Sequence, residues 1–228
     1  MSLFILIPCY NAENSIHTLF QRIKFALKDA PPYTIICVND GSYDQTVEKL
    51  NSIDVQVIHH KKNLGKGAAL KTGYTFALEN NATSVLTLDS DLQHDPNDIQ
   101  TFLAASSTAD IIIGSRKASF TQLESEMPFL RQFSNRTTSR MMSRLTGQVI
   151  EDAQCGFRLI NKICLKTILP LCSENGYMFE TEFLILASQK GFKVQFVPIQ
   201  TIYGVGKSYM RPVRETINFL KLYFRHCQ

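Results

Sequence analysis

The sequence predicts an α/β fold, a mostly parallel sheet with helices on both faces, and three observations carry it. Short apolar runs alternate with stretches of helical spacing through the first half of the chain. The runs end in polar loops rich in Asp, Asn, Gly and Ser. No run approaches the roughly 18 apolar residues that a membrane-spanning helix needs. A βαβα order of this kind buries its strands on both faces and collects ligands at their carboxyl ends.

Leu3–Ile7 (LFILI) is the first buried strand. MSLFILIP lacks the basic n-region of a signal peptide. Ile16, Leu19, Phe20, Ile23 and Leu27 recur at helical spacing, and Pro31-Pro32 stops that helix. Tyr33–Val38, Val55–Ile58, Ser84–Leu88 and Asp110–Gly114 read as further buried strands, and Lys66–Asn80 as a second helix. Asp95-Pro96 opens a third helix, with an N-cap followed by proline at the first helical position. Beyond Arg116 the pattern changes. Ala118–Pro128 is polar and weakly patterned, a candidate mobile loop. Arg131–Leu145 reads as a basic helix, Phe179–Lys190 as another, and KVQFVP as a strand before a closing helix. Without repeat, linker or low-complexity stretch, one domain over 1–228 is expected.

The 228 residues carry a net charge of +4, which favours anionic ligands or surfaces without demanding nucleic acid. The six cysteines form no CxxC pair, and Cys37 lies inside an apolar run, so reduced thiols in a cytoplasmic protein are expected. No metal site of the Cys/His kind is visible. His59-His60 reads as an exposed strand end.

The polar loops carry the chemistry. In TLDSDLQHDP, Asp89 and Asp91 stand two apart at a strand end, so both carboxylates can face one side. Oxygen ligands so placed suit Mg²⁺ or Mn²⁺ shared with substrate phosphates. In VNDGSYDQT, Asp40 ends a strand and can accept hydrogen bonds from a base or ribose, whereas Asp44 suits a helix cap. NLGKGAALKTGY sets glycines around Lys66 before a helix, where backbone can approach phosphate. GVGKS offers Lys207 as a phosphate contact, although Thr201 stands where a P-loop requires glycine.

Together IPCYNAENSI, VNDGSYDQT, NLGKGAALKTGY, TLDSDLQHDP, IIIGSR and EDAQCGFRLI resemble, in order and spacing, the family 2 glycosyltransferases of GT-A (Rossmann-like) fold. The chain looks closest to the dolichyl-phosphate mannose synthase and polyprenyl-phosphate glycosyltransferase branch, from Leu3 to about Phe219. The resemblance implies inverting, metal-dependent transfer from a GDP- or UDP-sugar to a polyprenyl or dolichyl phosphate, the alternative being a hydroxyl acceptor in cell-envelope polysaccharide synthesis. It implies a nucleotide-sugar half at 1–116, an acceptor half at 117–212 and an amphipathic helix at 213–228.

Carried over by residue, Pro8, Tyr10 and Asp40 surround the nucleoside. Asp89, Ser90 and Asp91 serve the metal, diphosphate and ribose, with Lys66, Gln93 and Lys207 in the donor pocket. Arg116 and Arg131 meet the acceptor phosphate. Asp152 is a general base if the acceptor is a hydroxyl, or a positioning group if it is a phosphate; a strand-end carboxylate paired with Arg158 is the plainer reading.

Asn39 departs from the commoner DDGS, which loses a charge. The chain ends at Gln228 without the transmembrane helices of many relatives. Val213, Ile217, Leu220 and Phe224 form an apolar stripe beside Arg214, Lys221 and Arg225, which suits either a packed closing helix or a cytoplasmic membrane surface. A sugar-nucleotide pyrophosphorylase lacks support, because its Gly- and Arg-rich N-terminal signature is absent from LFILIPCYNAEN. A catalytically silent nucleotide-sugar-binding protein is the rival of another class.

Overall fold

The computed structural model describes residues 2–30, 32–116, 129–202 and 212–227, with the side chains of 129–136 and 212–213 outside that description. Ala118–Pro128, expected as a loop, therefore lies outside the described residues. Among the described residues the strands are β1 (Leu3–Cys9), β2 (Tyr33–Asn39), β3 (Gln56–His59), β4 (Ser84–Thr87), β5 (Ile111–Ser115), β6 (Arg158–Asn161) and β7 (Val194–Pro198). The α-helices are α1 (Ile16–Ala26), α2 (Thr46–Asn51), α3 (Lys66–Glu79), α4 (Ile99–Ala105), α5 (Phe129–Thr146), α6 (Lys162–Ile168), α7 (Phe179–Gln189) and α8 (Pro212–His226).

The strands form one sheet in the order β3-β2-β1-β4-β6-β5-β7. The β1–β2, β1–β4, β2–β3 and β5–β7 pairs are parallel. Ile5, Leu6, Ile7, Ile36, Cys37, Val38, Val85 and Leu86 are fully buried, as continuous apolar runs covered on both faces must be. Helix α1 turns Ile16, Leu19, Phe20 and Ile23 onto this core. Helix α3 packs close to β1 because Gly73 lies against Leu6, where a side chain would collide.

One strand escaped the sequence reading. β6 inserts antiparallel between β4 and β5, pairing Thr87 with Arg158 and Ile113 with Arg158 on its two sides. Parallel strands deliver their trailing loops to one rim. An antiparallel strand among them delivers its leading loop there instead. This reversal brings Asp152–Gly156 to the rim that already holds the ends of β1, β2, β4 and β5.

Arg158 is 2% exposed, unusual burial for a guanidinium. It is satisfied by donating at 2.8 Å to the carbonyls of Cys155, Ala153 and Glu180. It therefore shapes the Ala153–Cys155 turn and ties it to the start of α7. The expected pairing of Arg158 with Asp152 does not form, because the guanidinium is spent on these carbonyls. Replacing Arg158 with Met should destabilise the fold by about 3–5 kcal/mol, since buried carbonyls and Glu180 lose their partner. Denaturant unfolding of the variant measures this, and a loss below about 1 kcal/mol contradicts the role.

Candidate active site

The β-strand ends surround a cavity of about 1000 Å³, which Pro8, Tyr10, Asp40, Lys66 and the Asp89–Asp91 loop all line, together with Gln93 and Arg116. Gathering these into one cleft follows from the parallel strands, whose carboxyl ends share a rim. Asp152 stands just behind Arg116. Arg131 lies on α5, but its side chain is outside the described residues, as is Lys207. Ile202 N donates to Gln93 O at 3.0 Å, beside the acidic loop.

The two acids of the DSD loop differ. Asp89 Oδ1 lies 2.7 Å from Lys66 Nζ, which also reaches Glu180 Oε2 at 3.0 Å. Burial pushes the Asp89 carboxyl up, but the Lys66 charge overrides it and holds the group below the usual carboxylate range. Burial likewise opposes the Lys66 charge, yet Asp89 and Glu180 keep the ammonium well above its ordinary value. Gly156 lies directly against the Asp89 carboxylate, where any side chain would collide with it.

Among the described residues, no such cation contacts Asp91. Burial, then the neighbouring Asp89 charge, pushes its carboxyl up to about 6, although Gln93 N donates to Oδ1 at 3.0 Å. The next residue, Leu92, adopts a left-handed φ of 64°. For a leucine this conformation costs about 1–2 kcal/mol, and it sharply turns the chain after the acids. Asp95 then caps the short helix at Pro96–Asp98, accepting from Asn97 N at 3.0 Å, as its sequence position predicts.

Asp40 is occupied in a way the sequence did not reveal. Its oxygens accept from Leu64 N and Gly65 N, each at 2.9 Å, and Oδ1 lies 2.7 Å from His60 Nδ1. The carboxylate thus holds the Asn63–Gly65 loop in place. His60 is not an exposed strand end: its other nitrogen meets Thr72 Oγ1 at 2.9 Å. Asp44 sits one residue before the N-cap of α2, which is Gln45, and accepts from Thr46 N and Glu13 N.

Gly65 has φ 104°, and a Cβ there would strike the carbonyl of Asn175. Glycine therefore lets the Lys66 loop close onto the segment before α7, sealed by Ala68 N donating to Asn175 O at 3.0 Å. Glu182 anchors that segment, accepting from Ser173 N at 2.9 Å and Glu174 N at 2.8 Å. Gly176–Met178 then form a cavity wall.

At the end of β5, Arg116 and Asp152 make a two-pronged pair, Nε to Oδ2 at 2.6 Å and Nη2 to Oδ1 at 2.9 Å. Burial pushes the Asp152 carboxyl up, but the Arg116 guanidinium outweighs this and holds it below the ordinary carboxylate range. The pairing fixes the plane of a guanidinium that itself lines the cavity.

Glu180, Gln154 and Tyr177 also line the cavity and were not identified from sequence. Glu180 had a signal: FETEF places two acids in the first turn of an apolar helix, where buried carboxylates require partners. Gln154 and Tyr177 had none. His94, in the motif QHDP, is buried and stacks on Phe157, and burial lowers its pKa to about 4.

The donor set fits a hard cation. Among the described residues, no group of three or more His, Cys, Asp or Glu side chains could hold a metal alone. One or two carboxylates facing a cavity that also admits phosphates is the usual provision for Mg²⁺.

The sequence profile described as "Glycosyl transferase family 2" matches residues 4–169. The UDP-N-acetylglucosamine–dolichyl-phosphate N-acetylglucosaminyltransferase of Methanococcus voltae is 28% identical, over 98% of this chain and 94% of its own. The polyprenol monophosphomannose synthase of Mycolicibacterium smegmatis is 29% identical, over 93% of this chain and 83% of its own. The glucosyl-3-phosphoglycerate synthase of Mycobacterium tuberculosis, solved with Mn²⁺, UDP and phosphoglyceric acid, superimposes with a TM-score of 0.72 at 16% identity, over 99% of this chain and 78% of its own. That likeness concerns the fold.

The raised pKa of Asp91 sets a sign for stability. The folded state holds this proton more tightly than the unfolded chain does. Its contribution is fully present below the ordinary carboxyl value of 3.8 and is lost as pH rises through about 6. Asp91→Asn should therefore raise the melting temperature of the metal-free protein at pH 7.5 and leave it nearly unchanged near pH 3.5. Thermal melts with chelator at the two pH values test this, and equal shifts at both contradict it.

Proposed function

We propose, for a chain that belongs to glycosyl transferase family 2, inverting transfer of a sugar from a GDP- or UDP-sugar to a polyprenyl or dolichyl phosphate. The observation that carries the acceptor class is the Arg116–Asp152 pair. A hydroxyl acceptor must lose a proton as its bond to the anomeric carbon forms, and a positioned base contributes about 10²–10⁴-fold. Asp152, with its pKa held down by Arg116, is a weak proton acceptor. A phosphate acceptor is already anionic near neutral pH, its second pKa being about 6, and needs no base. The names of the M. voltae and M. smegmatis relatives favour the same acceptor class.

In this reading residues 1–116 hold the donor and 117–212 the acceptor within one GT-A unit. Tyr10 and Tyr43, edge to face with ring centroids 6.1 Å apart, stand at the nucleoside end with Pro8 and Asp40. Asp89 and Asp91 would hold Mg²⁺ or Mn²⁺, with Ser90, Gln93 and Lys66 facing the diphosphate and sugar. The metal supplies neutralisation of the leaving diphosphate. Arg116 draws the acceptor phosphate opposite the departing group, a role in which the resemblance also enlists Arg131, with Lys207 assigned to the donor phosphates. A phosphate oxygen attacks the anomeric carbon, the bond to the diphosphate oxygen breaks, and the configuration inverts. Asp152 acts as a positioning residue that orients Arg116.

A screen of GDP- and UDP-sugars with Mg²⁺ or Mn²⁺, scoring nucleoside diphosphate release with and without polyprenyl phosphate, tests the reaction. Release that polyprenyl phosphate does not stimulate overturns the acceptor class. Arg116→Ala should weaken acceptor use by about tenfold or more, one charged hydrogen bond being worth about 1.5–3 kcal/mol. Asp152→Asn should raise the acceptor KM and leave the pH profile of kcat in place. A collapse of kcat with a shifted pH profile makes Asp152 a base.

Helix α8 bears on where the lipid is met. No helix among the described residues is long and apolar enough to cross a membrane. Helix α8 packs inward through Phe219 and Leu222, which are 4% and 1% exposed. It leaves Ile217, Leu220 and Phe224 outward at 49%, 39% and 65% exposure. Arg214, Lys221 and Arg225 flank that outer stripe, and all are exposed. The side chain of Val213 lies outside the described residues. An apolar stripe beside a basic one suits an anionic lipid surface, here the cytoplasmic face of the membrane. Changing Ile217, Leu220 and Phe224 together to Ser should abolish co-sedimentation with anionic vesicles without unfolding the protein, and wild-type binding should weaken with salt. Retained vesicle binding by the folded triple variant contradicts the surface.

A further inference from the structure

Lys66 already occupies the acid that a metal would need. Its Nζ lies 2.7 Å from Asp89 Oδ1 and 3.0 Å from Glu180 Oε2, with the lysine side chain 17% exposed. We propose that Lys66 is the resident cation of Asp89 in the donor-free enzyme and makes metal uptake conditional on the arriving diphosphate. The inference rests on the reading of Asp89 and Asp91 as the metal–diphosphate site.

The physical case is competition at one carboxylate. Charges removed from water act on each other strongly, and salt screens them little. A divalent ion arriving alone meets an ammonium already at hydrogen-bond distance from Asp89. To ligate that oxygen it must displace the lysine, and the displaced charge stays close by and repels it. An ion arriving with a nucleoside diphosphate changes the balance. Phosphate oxygens fill much of its coordination sphere and offer the lysine an anionic partner in exchange for Asp89.

Glu180 makes such an exchange local. Its Oε2 holds the same ammonium, and the residue is 6% exposed at the start of α7. Its backbone carbonyl is fixed by Arg158 at 2.8 Å. Lysine is a point charge on a flexible stem and can turn from one partner to another. With Glu180 as a fixed pivot, Lys66 releases Asp89 and swings towards the diphosphate without leaving the cavity floor. Metal and nucleotide then load together, and an enzyme without donor holds little metal.

The test is Mn²⁺ affinity measured by electron paramagnetic resonance on the full chain, first without nucleotide and then with GDP or UDP, whichever the wild type binds. Wild type should bind Mn²⁺ weakly alone and tightly with the nucleotide. Lys66→Met should tighten nucleotide-free Mn²⁺ binding by about tenfold, the scale of one charged contact, and weaken Mn²⁺-dependent nucleotide binding. If Lys66→Met does not fold, the double variant Lys66→Met/Glu180→Gln removes the buried pair at constant net charge, and the same tightening is expected. A nucleotide-free affinity within about threefold of wild type, in whichever of the two folds, overturns the inference, and any larger tightening supports it. Tight binding of Mn²⁺ alone by wild type overturns it as well. If wild type binds neither Mn²⁺ alone nor Mn²⁺ with GDP or UDP, the metal–diphosphate reading itself falls, and the inference with it.

Discussion

Buried and half-buried negative charge at one rim of the sheet is the constraint on which this structure depends. Asp40, Asp89, Asp152 and Glu180 all lie within or beside a single cleft, and a carboxylate taken out of water is tolerated only when donors meet it. Each meets at least one donor. Asp40 takes His60 and two backbone amides, Asp89 and Glu180 share Lys66, and Asp152 takes Arg116. The loops around the site are shaped by these pairings. The Asn63–Gly65 loop follows Asp40, and Lys66 joins β4 to α7. Asp91 has no such cation in contact among the described residues, and burial with the Asp89 charge pushes its carboxyl up to about 6.

The rim formed by the ends of β1, β2 and β4 was legible in the sequence because it depends on local order. Apolar runs of strand length, each ending in Asp, Asn or Gly, fix both the strands and the rim on which their loops collect. The end of β1 at Cys9, two residues past the predicted Ile7, is the usual scale of such differences. The pairings themselves were not legible. Asp152 and Arg158 share one motif, so local reading couples them, yet the fold gives Asp152 to Arg116, 36 residues away. Asp40 and His60 are separated by 20 residues and meet only because β2 and β3 lie side by side.

β6 was invisible for a related reason. Four residues long, with Arg158 at its start, it shows neither alternation nor an apolar run. Its place in the sheet comes from β4 and β5, which together offer it a paired edge on each side. The reversed direction of this short strand is what brings Asp152 to the cleft. Loops that follow β1, β2, β4 and β5 meet the loop that precedes β6, so Asp152 arrives facing Arg116 at the end of β5. A parallel strand in the same slot would have sent that loop to the opposite edge of the sheet.

The segment Ser173–Asn175 ties together parts of the molecule that are remote in sequence. On one side Glu174 Oε1 holds Arg225 of α8 at 3.0 Å. On the other, Asn175 O receives Ala68 N, and Lys71 Nζ reaches Asn175 Oδ1 at 3.0 Å, both from α3. Glu182 clamps the middle from beneath. Three residues thus form a strut whose outer foot stands on the helix with the exposed apolar stripe, and whose inner foot stands on the helix that presents Lys66. The exposed stripe of α8 and the lysine in the cleft thus share a short brace, so the position of one is a boundary condition on the other.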